Sequence, residues 1–477
     1  MVSTTLRGWL QEIENMGELQ VIEGADWDLE IGGLSEKNIR RHNAPALFFK
    51  KIKDYPGEYG IVTCSLTSPG RFAHTFHLPV RDTWRDLLEI VREKYRTWQK
   101  GLDEYAPVEV KDGEVMENVS SGENVNLYEF PAPRWHELDG GRYIGTGCSI
   151  ITRDPDTKEI NLGTYRTMLH DKNTVGLHVT PGRHARNQYE KYYLKGEKAP
   201  VAICLGQHPL LFASSASEVP HEPRSEYHFA GAVRGEPVKV IREEITGLLV
   251  PAEAEIVIAG WSPPGKVRKE GPFGEFTGYY SGAEDTPQPF INIERVYYRS
   301  NPIMVGVPPN RPPDERSHFM DLIRAARLYN DLIAAGVPDV KGVWFSDVGR
   351  QLLLVISIKQ RYAGHARQAL LASCLGYTFG RYIMVVDEDI DPSNTDEVLW
   401  ALCTRTDPAR DIDILREMRS IALDPVVPKP VDSPFTSRAL INACKPYEWK
   451  DRFPGAIKMS RELEEKTRQK WGKTLNL

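Results

Sequence analysis

Between residues 108 and 299, short runs of strand-forming side chains recur between turns, at 145–152, 161–168, 175–180, 200–205, 254–259 and 290–298. That spacing predicts an antiparallel β domain closed as a barrel or folded as a sandwich. Asp154-Pro155-Asp156 marks a turn between two of its strands. Whatever else the chain does, it must be arranged around this sheet.

The flanks read differently. Over 4–17, Leu6, Trp9, Leu10, Ile13 and Met16 fall at helical spacing and Gly17 follows as a stop. Strands at 46–49 and 59–63 and a helix over 82–99 complete a small α/β region, 1–107. The β domain takes 108–311. Pro312-Pro313 then opens a helix over 314–335 within a linker of 312–338. Its stripe is Phe319, Leu322, Ile323, Ala326, Tyr329 and Ile333, and Gly336 and Pro338 end it. At 1.5 Å per residue it spans about 33 Å, enough to join two domains. Strands at 340–345, 351–358 and 382–386 with helices at 364–375 and 395–403 predict a second α/β unit, 339–428. A tail, 429–477, ends in a helix over 460–472 whose only large apolar residues are Leu463 and Trp471. Such a helix is expected to dock elsewhere, as on a neighbouring subunit.

A net charge of -6 argues against nucleic acid as the main partner. No apolar run approaches the roughly 20 residues of a membrane span, and the start lacks a signal peptide's apolar core. The cysteines, Cys64, Cys148, Cys204, Cys374, Cys403 and Cys444, form no CxxC and read as reduced core residues of a cytoplasmic protein.

Several stretches carry possible chemistry. Glu270-Gly-Pro-Phe-Gly-Glu275 sets two carboxylates about a segment whose glycines and proline exclude a helix and favour a turn, which can fold both acids toward one point. Paired carboxylates in unlike environments can divide into an acid and a charged anchor; on these residues alone, a solvated loop with two ordinary surface acids is the favoured reading. In Asn161-Leu-Gly-Thr-Tyr-Arg166, strand alternation puts Thr164 and Arg166 on one face and Tyr165 on the other. An inward Arg would need an anion; an outward one would need nothing. Asn161 falls on the face opposite Arg166 unless the strand starts late or bulges at Gly163. Of His170, His178 and His184, a single ligand is more plausible than three. Glu226, in Ser225-Glu-Tyr-His-Phe-Ala-Gly231, reads equally as a buried ligand or a rim charge. Gly260-Trp-Ser-Pro-Pro-Gly-Lys266 has P-loop spacing, but Val267 replaces the metal-binding hydroxyl residue and no helix follows, so it is rejected.

In their order these motifs, N-x-G-x-Y-R, a His, S-E-Y-x-F-A-G and E-G-P-F-G-E-x-T-G-Y-Y, resemble the UbiD family of decarboxylases. Arg311-Pro-Pro-Asp314, Gln360-Arg-Tyr-Ala-Gly-His-Ala366, Asp387-Glu-Asp-Ile-Asp391, Trp400-Ala-Leu-Cys-Thr-Arg405 and Asp407-Pro-Ala-Arg-Asp411 extend the resemblance over nearly the whole chain. It implies an N-terminal α/β region, a split β-barrel that binds flavin, a linker helix and a C-terminal α/β oligomerisation domain, in dimers or hexamers. It also implies prenylated FMN as cofactor, supplied by a flavin prenyltransferase, with Mn2+ or Mg2+ and K+ beside its phosphate. By motif, Asn161, His184 and Glu226 resemble the metal ligands. Thr164, Tyr165, Arg166, His178, Val179, Arg183 and His184 resemble the cofactor contacts, and Arg166, Glu270 and Glu275 the catalytic network. Arg381 stands where many members have a Lys, and its geometry differs. The implied reaction is reversible non-oxidative decarboxylation, and the aromatic residues near Glu275 suit a flat ring. A hydroxybenzoate, pyrrole or indole carboxylate is therefore favoured over an α,β-unsaturated acid. The competing classes are an FMN oxidoreductase on a split barrel and an assembly factor with a dead site.

Overall fold

The computed structural model describes residues 2–41, 44–217, 224–281, 286–374, 380–428 and 434–475. The first helix, Leu6–Asn15, begins where the Thr5 side chain accepts from the Gly8 amide, and it buries Leu6, Trp9, Leu10 and Ile13 along one face. A second, Trp84–Lys100, is capped by Thr83 in the same way. Strands Leu19–Glu23, Ala46–Lys50, Gly60–Thr63 and Ile303–Val305 form a four-stranded sheet in that order. Because Ile303–Val305 comes from the far end of the β region, the two parts share a sheet and cannot move as strangers.

The β region is a curled antiparallel sheet. Its main path runs Tyr143–Gly145, Thr167–Asp171, Thr174–Gly176, Thr286–Tyr298, Ile256–Ser262, Ala199–Leu205, Ser149–Arg153 and Ile160–Gly163. Strands Asn118–Ser121 and Val267–Glu270 pair alongside the long strand Thr286–Tyr298. Chain length explains the curl. Ile160–Gly163 ends the path and Thr167–Asp171 is second from its other end, yet only Thr164, Tyr165 and Arg166 join them. Four Cα steps reach at most about 15 Å, whereas six strand spacings in a flat sheet cover about 29 Å. The sheet must therefore roll until its ends nearly meet, and Thr164, Tyr165 and Arg166 cross the seam.

This corrects the sequence-based strands. The expected strand over 161–168 is two strands with a non-strand crossing between them, and 175–180 contributes only the end of Thr174–Gly176. Strand parity thus does not govern Arg166, because the strand stops at Gly163.

The linking helix, Glu315–Ala334, starts at a reciprocal cap between Asp314 and Ser317. Phe319, Leu322, Ile323, Ala326 and Tyr329 are buried as expected, but Ile333 is exposed. Arg92 lies over the Tyr329 ring at 4.4 Å, and Phe319 meets Phe212 of the helix Pro209–Ala216 with ring centres 5.6 Å apart, so the helix holds both earlier regions. Beyond it a five-stranded sheet runs Val340–Ser346, Arg350–Ile358, Tyr382–Asp387, Phe435–Ala443 and Ile412–Arg419. Phe435–Ala443 has a strand on either side, so this sheet runs past Pro428 into what the sequence suggested was tail. The predicted helix end at Leu375 lies outside the described residues, as do 429–433 and 476–477 of the tail. The last helix, Arg461–Leu475, leaves Leu463 and Trp471 half exposed.

Four cysteines are buried and Cys374 is half-buried, but Cys403 is exposed, contrary to the expectation of six core residues. Among the described residues no helix is long and apolar enough to cross a membrane.

Candidate active site

Crossing the seam requires local fitting. Thr164 Oγ1 donates to the Cys148 carbonyl at 3.0 Å, its backbone amide donates to the Ser215 carbonyl at 3.1 Å, and Cys148 Sγ donates to the Tyr165 carbonyl at 3.2 Å. The Tyr165 ring folds back over Gly163, where a Cβ would come within 2.3 Å of it. With the backbone pinned this way, Arg166 is delivered to the interior.

The Glu270 loop meets it there. Strand Val267–Glu270 ends on Glu270, and the turn beyond is braced by the Gly140 amide donating to the Pro272 carbonyl at 2.8 Å. Glycine is required at 140, since a Cβ would stand 1.8 Å from the Gly271 carbonyl oxygen. Arg166 Nε and Nη2 donate to the two oxygens of Glu270 at 3.0 and 2.7 Å, and Nη1 donates to Glu275 Oε1 at 2.5 Å. The turn thus brings both acids onto one guanidinium. His178 Nδ1 lies 3.4 Å from both Arg166 Nη2 and Glu270 Oε2. Phe273 packs under the guanidinium at 5.3 Å.

Glu270 is 1% exposed. Burial by itself raises its carboxyl, but the His178 hydrogen bond and the Arg166 charge outweigh burial and bring it down to about 2. Burial opposes the charge of Arg166, and Glu275 and Glu270 more than restore it, so its ordinary value is raised further. The anchor is an ion pair held charged at any physiological pH.

A cavity of about 260 Å³ spans this group and a second cluster of polar residues, Asn161, His184 and Glu226. Asn161 comes from the strand before the seam, His184 opens the helix His184–Leu194, and Glu226 opens the helix Glu226–Arg234. Glu226 Oε2 accepts from the Leu162 amide at 2.7 Å, which fixes that helix to the strand. Burial pushes the Glu226 carboxyl up to about 8. Among the described residues no group of three or more His, Cys, Asp and Glu is placed to hold a metal. A metal here would rest on the mixed set of amide oxygen, imidazole and carboxylate, which suits Mn2+ or Mg2+.

Thr164, Tyr165, Arg166, His178, Arg183 and His184 all line the cavity with Glu275, whereas Val179 instead lines an adjoining cleft of about 1260 Å³. The cavity and the cleft share His178, Thr180 and Leu423. Arg381 is outside both linings and forms an ion pair with Asp424. His170 is half-buried and outside the cavity lining, although its ring and Glu270 both face Gly176, where a Cβ would stand 3.2 Å from His170 Nε2 and 3.3 Å from Glu270 Cγ. Sequence reading missed Tyr143, whose hydroxyl donates to Glu270 Oε1 at 3.0 Å, and the contributions of Arg316, Arg324 and Arg350 to the cavity wall. No local motif marks these residues; they reach the site only through tertiary contacts.

Arg166 thus stands between two glutamates at the seam of a rolled sheet, in a cavity that Arg350 and Gln351 of the C-terminal sheet also line. The chain belongs to the UbiD family of carboxy-lyases and is a decarboxylase of that class. The 3-octaprenyl-4-hydroxybenzoate carboxy-lyase N-terminal, Rift-related and C-terminal domain families match residues 10–91, 107–312 and 317–443. The phenolic acid decarboxylase of Sedimentibacter hydroxybenzoicus is 32% identical over 435 residues, covering 88% of each chain. The pyrrole-2-carboxylic acid decarboxylase of Pseudomonas aeruginosa is 32% identical over 437 residues, covering 88% of this chain and 86% of the relative. The UbiD-class enzyme HmfF of Pelotomaculum thermopropionicum, solved with FMN, superposes with a TM-score of 0.84 at 27% identity over 96% of this chain and 98% of its own. An evolved dimeric form of HmfF has been solved with prFMN, with a TM-score of 0.80 at 27% identity, covering 96% of this chain and 97% of its own.

Proposed function

We propose that this protein decarboxylates an aromatic or heteroaromatic carboxylic acid, of the hydroxybenzoate, pyrrole or indole carboxylate type, with prenylated FMN as cofactor. One observation carries the reading: Arg166 is held by Glu270 and Glu275 in the same cavity that gathers Asn161, His184 and Glu226. The names of the relatives support an aromatic substrate, and HmfF with bound prFMN supports the cofactor.

Removing CO2 from an sp2 carbon leaves an electron pair that no side chain can hold, and prenylated FMN supplies the sink. Asn161, His184 and Glu226 would hold a divalent ion, Mn2+ or Mg2+, with K+ as a second ion of the site. Thr164, Tyr165, Arg166, His178, Val179, Arg183 and His184 would seat the flavin. Arg166 orients and polarises the substrate carboxylate, Glu270 keeps Arg166 in place, and Glu275 delivers the proton that replaces CO2. Phe273 and Phe276, both buried, give the ring a flat apolar wall and exclude water from the departing carboxylate. Decarboxylation breaks the C–C bond to the carboxylate and makes a C–H bond; run in reverse, the C–H proton returns to Glu275 as the bond to CO2 forms, so high CO2 drives carboxylation. The protein works in the cytoplasm as a homo-oligomer assembled through its C-terminal region.

The test is production with and without a flavin prenyltransferase, followed by mass spectrometry of the bound cofactor and assay against hydroxybenzoate, pyrrole-2-carboxylate and indole carboxylates. Activity is expected only in protein carrying prenylated FMN. Full activity in protein containing only plain FMN overturns the cofactor assignment.

A further inference from the structure

We propose that Tyr143 is a positioning residue that fixes the orientation and charge of Glu270 and, through it, the aim of Arg166. The proposal rests on the reading of Arg166, Glu270 and Glu275 as the catalytic group.

Tyr143 lies on the edge strand Tyr143–Gly145 and is fully buried. Its hydroxyl has one proton to give and two acceptors in reach, Glu270 Oε1 at 3.0 Å and the Pro272 carbonyl at 3.5 Å. The nearer is also the charged one, and a buried hydroxyl without an acceptor is costly, so the proton goes to Glu270. Oε1 then accepts from Arg166 Nε and Tyr143, while Oε2 accepts from Arg166 Nη2 and faces His178 Nδ1. The carboxylate is surrounded by donors on both oxygens. A protonated Glu270 would need to discard one of them, so the enclosure keeps it ionised. The same enclosure also removes rotation about its last bond. Glu270 can therefore hold Arg166 by two parallel bonds while the other side of the guanidinium works on substrate. The ring of Tyr143 serves as a second brace: it meets Phe273 with centres 3.9 Å apart, and Phe273 lies under Arg166. Tyr143 itself is outside the cavity lining and acts through Glu270 and Phe273.

The experiment pairs kinetics with a measurement that needs no turnover. Tyr143→Phe keeps the ring and its contact with Phe273 and loses only the donor. In protein loaded with prenylated FMN, kcat is expected to fall about tenfold, the scale of one hydrogen bond to a charged group, with KM, flavin content and metal content unchanged. In FMN-loaded protein carrying 3-fluorotyrosine at position 143, the fluorine resonance is expected to move on Glu270→Gln and to stay in place on Glu275→Gln. A Tyr143→Phe enzyme with kcat within twofold of the parent, or a fluorine signal indifferent to Glu270→Gln, overturns the proposal. Undiminished turnover in Glu270→Gln itself would overturn the underlying assignment of the catalytic group, and the fluorine signal separates that outcome from a failure of the Tyr143 contact alone.

Discussion

Glu275→Gln replaces an acid with an amide of nearly the same volume, so its cost divides into a structural part and a chemical part. Structurally, the amide oxygen of Gln can still accept from Arg166 Nη1, so the 2.5 Å contact loses the carboxylate's charge but not its acceptor, and both bonds to Glu270 remain. The guanidinium is therefore not stranded, and the expected loss of stability is below about 1.5–3 kcal/mol, the range for losing a whole hydrogen bond to a charged group. Chemically, an amide cannot hand over a proton, and positioned proton transfer contributes about 10²–10⁴-fold. Turnover should fall by that order with flavin retained. Progress is followed by CO2 release, stability by urea unfolding, and proton delivery by deuterium at the former carboxylate carbon of product formed in heavy water. Near-normal turnover with normal deuterium incorporation would refute the role of Glu275. A loss of flavin together with activity would show that the residue is structural instead.

Glu226→Ala should lose metal and flavin together, and elemental analysis finding undiminished metal would remove Glu226 from the ligand set. Glu270, held near 2 against an ordinary 4.5, contributes stability that is full above about pH 4.5 and is lost as pH falls toward 2. Urea unfolding should therefore show a parent advantage over Glu270→Gln at pH 7 that narrows at pH 3, and a constant difference would contradict the ion pair. Truncation after Arg452 should leave the five-stranded sheet folded and weaken self-association by light scattering, whereas truncation after Pro428 should fail to fold because it deletes the strand Phe435–Ala443. An unchanged assembly in the shorter deletion would exclude the last helix from the interface.

Periodicity found the elements whose burial is local. The helix Leu6–Asn15 and the linking helix Glu315–Ala334 carry their caps and apolar stripes in sequence and lie where expected. The seam was illegible for a physical reason: 161–168 has strand composition throughout, and only the closure of the sheet decides that Thr164, Tyr165 and Arg166 leave it. Phe435–Ala443 follows a Pro-rich stretch and reads as tail until its neighbours in the sheet are known. At the site, the local pattern of Glu270, Glu275 and Arg166 suits two surface acids and an outward arginine better than a buried cluster; only the order of motifs along the chain, through the family resemblance, joins them. Tyr143 was invisible, since its value lies in one hydrogen bond to a residue 127 positions away.

The bonding of Arg166 separates the two acids. The cavity wall also carries Arg183, Arg316, Arg324 and Arg350, so cations are at hand for an arriving substrate carboxylate. All three nitrogens of Arg166 already donate to Glu270 or Glu275, however, so a substrate that binds Arg166 competes with one of these carboxylates for it. Glu270 is poorly suited to yield: it holds Arg166 through two bonds, accepts from Tyr143 and faces His178. Glu275 is held by Arg166 through one bond and stands on the cavity wall, at a turn closed by its own amide donating to the Tyr279 carbonyl at 2.9 Å. Substrate competing for Arg166 therefore displaces Glu275 rather than Glu270. The residue displaced is also the one proposed to deliver the proton. On that proposal, anchor and proton donor are separated by the number of bonds each makes to the same arginine, so Glu275→Gln should abolish deuterium delivery in heavy water while Glu270→Gln should move the fluorine signal at position 143.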